Sequence, residues 1–235
     1  MYRLRIFAGP NGSGKSTLSN HLRDQFNLGH YLNPDDLHQT VCKTQMFDFS
    51  LFNASATQSE WIDFWTNHGL SGKSPLLKSS YIENNILVFK DKPKSYESAI
   101  LAAFLRHCLL RTGETFSFET VFSHPSKLEF MQQAQAEDYK CYLYFACVSS
   151  ANVSVARVKQ RQQEGGHGVP EDKIRERYLR TLDHLLDAIK LSYRTYLFDN
   201  SQTMKLVAEM TPSRNLELKA DRIPNWLQQY VLEKL

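Results

Sequence analysis

The segment Gly9-Pro10-Asn11-Gly12-Ser13-Gly14-Lys15-Ser16-Thr17 carries the most specific chemistry in the chain. It fits the pattern G-x-x-x-x-G-K-[ST] in full. Glycines at these places let the backbone curl until successive N–H groups point inward at phosphate oxygens. The N-terminus of a following helix adds its positive end. In such a loop, residues Gly9 through Thr17 surround the phosphates of ATP, Lys15 reaches the β- and γ-phosphates, and the Ser16 hydroxyl ligates Mg²⁺. An apolar strand, Leu4 to Ala8, precedes the loop and a helical segment, Thr17 to Phe26, follows it, as the pattern requires.

Moving a phosphoryl group takes two further kinds of residue. A carboxylate must orient and deprotonate the acceptor hydroxyl, and arginines must neutralise the group in flight. Tyr31-Leu32-Asn33-Pro34-Asp35-Asp36 ends a second strand and Phe118-Glu119-Thr120 ends a third, the places where doubly wound sheets bind ligands. Asp35 is the candidate base; the alternative is that Asp35 or Asp36 caps a helix after Pro34. Glu119 either accepts a hydrogen bond from a substrate hydroxyl, stands near Mg²⁺ as its acidic partner, or sits in a structural ion pair. Thr120 beside it joins the substrate-binding candidates.

Arg157 and Arg161 stand four apart on one helical face and are candidates for the phosphates, with a solvated basic face as the alternative. The stretch Gly165-Gly166-His167-Gly168-Val169-Pro170 between them and Arg175/Arg177 reads as a lid hinge flanked by cations, with His167 a further candidate contact. Asp199-Asn200-Ser201 either lines an adenine pocket or caps a turn. Leu70-Ser71-Gly72-Lys73 imitates the start of an ABC-type signature, but Pro75 follows and no hhhhDE acid segment appears downstream. A guanine-reading N/T-K-x-D segment is also absent, so kinases of small molecules fit better than mechanical ATPases or GTPases.

The combination of AGPNGSGKST, N-x-D about twenty residues on, F-x-F-E-T-V-F-S-H-P, R-V-x-x-R-x-x-x-G-G-H-x-V-P and Y-L-F-D-N-S resembles the zeta-toxin family of P-loop kinases. The resemblance covers nearly the whole chain except residues 43 to 95. It implies a phosphotransferase-type α/β sheet and transfer of the γ-phosphate of Mg-ATP to a hydroxyl of a small molecule. UDP-N-acetylglucosamine is the acceptor of well-studied members, which an antitoxin neutralises. It places the base on Asp35, the substrate-contacting glutamate on Glu119 and the phosphate-binding arginine on Arg161, with Lys15 completing the catalytic set. The chain departs from the toxins where Asp36-Leu37-His38 follow Asp35, where Thr120-Val121-Phe122-Ser123 follow Glu119, and near His167. In these it resembles the chromosomal branch of the family labelled as ATPases.

The elements that must position these residues alternate. Strands are expected at Leu4 to Ala8, around Tyr31-Leu32, and at Phe116 to Phe122, Cys141 to Val148, Thr195 to Phe198 and Leu206 to Met210. Helices are expected at Ser98 to Leu110, Pro125 to Ala136, Asn152 to Gln163, Pro170 to about Ser192 and Ile223 to Leu235. The pattern predicts a three-layer, doubly wound parallel α/β sheet of P-loop kinase type, formed as a single domain over residues 1–235. Residues 43–95, with Trp61 and Trp65 at their centre, read as an inserted substrate cap of short helices and loops. The two tryptophans read as core rather than as a substrate platform.

Composition bounds the rest. The chain has 235 residues and 10 glycines, six of them in the clusters Gly9/Gly12/Gly14 and Gly165/Gly166/Gly168. Its net charge of +3 equals the excess between Arg157 and Arg180, where five arginines and two lysines face four acids. A near-neutral remainder argues against the competing reading of a polynucleotide- or tRNA-end kinase, which needs a basic groove tracking a strand. A non-catalytic nucleotide switch held by a protein partner is the third reading. Four cysteines without metal-ligand spacing read as free thiols of a reducing compartment. With no signal-peptide profile at the start and no apolar run of ~18 residues, the expected setting is cytoplasmic, with no membrane and no nucleic-acid partner.

Overall fold

The computed structural model describes residues 1–67, 79–166 and 168–235. In chain order its elements are β1 (Arg3–Ala8), α1 (Lys15–Arg23), β2 (His30–Leu32), α2 (Pro34–Thr44), β3 (Met46–Asp48) and α3 (Gln58–Asn67). There follow β4 (Ser80–Glu83), β5 (Ile86–Phe89), α4 (Ser95–Thr112), β6 (Phe116–Thr120), α5 (Ser126–Ala136), β7 (Lys140–Cys147) and α6 (Ala151–Gln163). The last are α7 (Glu171–Asp183), α8 (Leu185–Leu191), β8 (Arg194–Asp199), β9 (Lys205–Met210), β10 (Leu216–Leu218) and α9 (Asn225–Tyr230). They divide into two units, Met1–Leu28 with Ser117–Leu235, and Gly29–Phe116.

The first unit is an α/β sheet with strand order β10-β9-β8-β7-β1-β6. β1 and β7 pair in parallel with Ala8 opposite Phe145, and β7 and β8 in parallel with Cys147 opposite Asp199. This register brings Gly9, Val148 and Asn200 to one edge, the carboxyl ends of the strands. Leu4, Ile6, Leu143 and Leu197 are wholly buried on one sheet face and anchor the core. Phe118 packs edge-on against Phe130 of α5, and Phe145 meets Trp226 of α9. The opposite face carries a row of rings stacked across strands, Phe7 on Tyr144 at 5.1 Å and Tyr144 on Tyr196 at 5.0 Å.

Two expectations change in this unit. β9 runs antiparallel to β8, and β10 antiparallel to β9, so the outer strands form a meander beside the parallel strands β1, β7 and β8. A five-residue link from Asn200 to Met204 is too short for a parallel crossover. The helix expected from Pro170 to Ser192 is two helices, which meet at His184. The apolar stripe Ile174, Tyr178, Leu182, Leu185 and Ile189 stays buried through the break, which is why spacing alone reads it as one helix.

The second unit has its own core. Asn33 caps α2 by accepting the Asp35 N–H at 2.9 Å, with Pro34 in the first turn, so neither Asp35 nor Asp36 is the cap. Residues 43–95 were expected to be helices and loops, yet they also form an antiparallel sheet in the order β3-β5-β4. Asn84 and Asn85, at φ 50° and 65°, make the two-residue turn that joins β4 to β5. Trp61 and Trp65 are buried and meet edge-to-face at 5.5 Å, with Phe104 of α4 against Trp61 at 5.0 Å. They are core, as expected. Among the described residues no helix is long and apolar enough to cross a membrane.

Candidate active site

The sequence between β1 and α1 leaves no freedom at its first glycine. Gly9 has φ +146°, and a Cβ there would lie 2.0 Å from the Ala146 carbonyl oxygen of β7. At the other end Gly14 takes φ 90° as the N-terminal cap residue of α1. No side chain caps α1 and no acid occupies its first turn, so its leading N–H groups face the loop uncompensated. Asn11 Oδ1 and Ser13 Oγ are buried in the loop with no hydrogen-bond partner among the described residues. Lys15 folds back over the same loop, and its Nζ donates to the carbonyls of Gly9 at 3.0 Å and Pro10 at 2.9 Å.

Glu119, at the end of β6, is buried and receives two hydroxyls from α1. Ser16 Oγ donates to Oε2 at 2.8 Å and Ser19 Oγ to Oε1 at 2.7 Å. The carboxylate is thus held against the hydroxyl that the phosphate-loop pattern assigns to Mg²⁺. Hydroxyl and carboxylate oxygens are the hard donors that suit Mg²⁺. Among the described residues no group of three or more His, Cys, Asp or Glu could hold a metal. Ser19, three residues beyond Ser16 on the helix, is the residue that motif reading missed; its spacing on the face of Ser16 was the available signal.

A third side of the loop is braced from far along the chain. Asn200 Nδ2 donates to the Ser13 carbonyl at 3.0 Å. Asp199 accepts the Ser201 N–H at 3.1 Å and Trp226 Nε1 at 2.9 Å, which fixes the turn that carries Asn200. Asp199 is therefore a turn cap, and Asn200 supports the phosphate loop. Arg157 reaches the loop as well: its guanidinium donates to the carbonyls of Gly12 at 3.4 Å and Ser201 at 3.3 Å. Arg161 lies one turn on, exposed on α6.

The second glycine cluster has a local cause. The Gly166 N–H bonds the Arg161 carbonyl at 2.9 Å and the Gly165 N–H bonds that of Gln162 at 3.1 Å. With Gly165 at φ +89°, this is a Schellman cap that ends α6. Arg175 is held by Glu171 and Asn152, whereas Arg177 is half-buried and, after the Lys173 hydrogen bond and the Arg180 charge, helps hold the Glu176 carboxyl below its usual range. Thr120 Oγ1 accepts the N–H of Phe122, which sits at φ 63°, so this hydroxyl shapes the exit from β6. His167 and the segment Leu70-Ser71-Gly72-Lys73 lie outside the described residues.

Cys147, at the end of β7, has its thiol pushed up by burial, an effect that outweighs the nearby Lys15 cation. It stays protonated and is no nucleophile. All four cysteines are free. Asp35 belongs to the second unit, where its carboxylate is exposed at the start of α2 and has no partner among the described residues.

A family model described as an AAA domain matches residues 4–185. An uncharacterized protein of Haemophilus influenzae is 27% identical over 74 residues, which are 32% of this chain and 53% of that protein. The AvrRxo1-ORF1:AvrRxo1-ORF2 complex crystallised with sulphate ions is similar with a TM-score of 0.54 and 14% identity, over 93% of this chain and 61% of the matched one. Its form with ATP gives a TM-score of 0.55 at 13% identity, over the same shares. A chain of the PezAT chromosomal toxin–antitoxin system of Streptococcus pneumoniae gives 0.50 at 12% identity, over 94% of this chain and 74% of that one. This chain thus spans about half of the curated relative and about three fifths of the AvrRxo1 chain. At these identities the likeness is one of fold, an α/β P-loop kinase-like sheet.

Proposed function

The chain belongs to the AAA-domain family, and from that premise we propose that it is an ATP-dependent phosphotransferase of zeta-toxin type acting on a hydroxyl of a small molecule. The observation that carries the proposal is the convergence of Lys15, Ser16, Ser19 and Glu119 on one loop at the carboxyl edge of the sheet. The loop amides and α1 bind the triphosphate, and Lys15 turns from the carbonyls of Gly9 and Pro10 to the β- and γ-phosphates. Ser16 and Glu119 would hold Mg²⁺, which when bound neutralises the phosphate oxygens. Arg157 and Arg161 add positive charge on the α6 side, and Asn200 keeps Ser13 in place.

Asp35 takes the acceptor's proton in this reading, its free carboxylate being suited to accept one. Glu119 and Thr120 are proposed as acceptor contacts only if the acceptor reaches the end of β6. A nucleotide sugar such as UDP-N-acetylglucosamine is the first acceptor to test. An antitoxin is a proposed partner, because the PezAT chain belongs to a chromosomal toxin–antitoxin system and AvrRxo1-ORF1 is crystallised with a second protein, AvrRxo1-ORF2. A panel of nucleotide sugars, nucleosides and aminoglycosides with γ-labelled ATP tests the reading. Asp35→Ala is expected to keep its fold and ATP affinity while losing transfer by at least about 100-fold. Undiminished transfer by that variant would remove Asp35 from the role.

A further inference from the structure

The second unit holds an open cavity of about 580 Å³ that the phosphate loop does not explain. Lys43, Lys92 and Lys94 stand on its rim around His38, Cys42 and Ser95, and among the described residues no aspartate or glutamate lines it. All three lysines are exposed, and among the described residues none of their ammonium groups forms an ion pair; Glu97 accepts only the backbone N–H of Lys94, at 2.7 Å. Ammonium groups gathered on one rim repel one another, so the arrangement favours whatever anion enters between them.

The rim is a fixed structure. His38 Nδ1 lies 2.9 Å from the hydroxyl of buried Ser98 on α4. Cys42 Sγ donates to the Pro93 carbonyl at 3.3 Å. These contacts pin the face of α2 to the segment that carries Lys92 and Lys94, so the cations are presented by a framed edge.

We infer that this cavity binds a small phosphate-bearing anion, a phosphomonoester or a diphosphate, through Lys43, Lys92, Lys94 and His38. Lysine ammoniums serve as point charges for phosphate oxygens, and His38 adds a donor when its ring nitrogens allow. The cavity also continues the face of α2 that starts at Asp35, since Asp35, His38, Gln39 and Cys42 follow the spacing i, i+3, i+4, i+7. A rise of 1.5 Å per residue sets His38 and Cys42 roughly 5 and 10 Å along the axis from Asp35. Resting on the reading of Asp35 as base, the anion is a charged group of the acceptor itself, carried roughly 5–10 Å from the hydroxyl that is phosphorylated.

Cys42 reports on the cavity from within. The other cysteines are buried, with the thiols of Cys108 and Cys141 pushed up to about 12. The experiment measures alkylation of Cys42 by iodoacetamide with the phosphate loop saturated by Mg²⁺ and a non-hydrolysable ATP analogue. Millimolar pyrophosphate is expected to slow the reaction at least threefold, against sodium chloride of equal ionic strength. In the Lys92→Glu/Lys94→Glu variant, whose changes are on the surface, the protection is expected to vanish. Unchanged alkylation in the presence of pyrophosphate, protection no greater than that by salt, or equal protection in the variant overturns the inference. The outcome is independent of phosphoryl transfer. Protection without any transfer would sink the kinase reading alone, and Asp35-dependent transfer without protection would sink the anion site alone.

Discussion

Replacing Ser19 with alanine separates the two hydroxyls that meet on Glu119. Both donate at nearly equal length, 2.7 Å from Ser19 and 2.8 Å from Ser16, yet Ser19 is wholly buried while Ser16 is exposed. Hydrogen bonds to charged groups contribute about 1.5–3 kcal/mol, and a buried acceptor that loses its donor cannot recruit water. Alanine returns roughly 0.5 kcal/mol of helix propensity within α1. The net cost of Ser19→Ala is therefore about 1–2.5 kcal/mol, which for a chain of this size lowers Tm by about 2–10 °C. In Ser16→Ala water replaces the lost hydroxyl, so the cost stays near 0.5 kcal/mol or less, about 2 °C at most. That variant should instead lose the Mg²⁺-dependent tightening of nucleotide binding, a property Ser19→Ala keeps in weakened form. Thermal melts with and without Mg²⁺ and ATP measure both. A Ser19→Ala melt within 1 °C of the parent, or a Ser16→Ala melt that falls as far, would refute the claim that burial divides their roles.

Further outcomes follow from the same geometry. Gly9→Ala drives a Cβ to 2.0 Å from a backbone carbonyl and should abolish nucleotide binding, whereas Gly165→Ala meets nothing within 4 Å and should cost only about 1 kcal/mol at its positive φ. Titration with a fluorescent ATP analogue distinguishes the two. Trp226→Phe keeps a ring in the core but removes the donor to Asp199, so nucleotide Kd should rise several-fold with about 1–2 kcal/mol of stability lost in urea melts. Burial raises the thiols of Cys108 and Cys141 from 9.0 to about 12, so between those values the unfolded chain ionises first and stability falls as pH rises. The slope approaches about −1.4 kcal/mol per pH unit for each thiol, and urea midpoints from pH 8 to 10.5 should fall less steeply in a Cys108→Ala/Cys141→Ala variant, which keeps only the raised thiol of Cys147.

The phosphate loop was legible because its glycines, lysine and serine are fixed by local backbone geometry, and the strand before it and helix after it announce themselves by period. Long-range supports were not legible to that extent. Asn200 and Trp226 act on the loop through a turn whose partners lie far away in sequence, and nothing in Asp199-Asn200-Ser201 separates a brace from an ordinary turn. The antiparallel pairing of β4 and β5 was hidden for another reason. Asn84-Asn85 is a hairpin signal, but the strands it joins are four residues each and their neighbour β3 comes from before α3. The glycines at 165, 166 and 168 suggest a hinge in sequence, and the first two prove to be in a helix cap, since both uses require the same positive φ or close approach.

The bond from Asn200 to Ser13 spans 187 positions, and it has a consequence in time as well as in space. During synthesis the loop leaves the ribosome long before Asn200 and the Trp226 that fixes its turn. A chain elongating at ~5–20 residues per second exposes an unbraced cradle for roughly 10 seconds or more. The cradle is thus made well before the residues that brace it, and nucleotide meets a finished site only once Asn200 and Trp226 have emerged and folded.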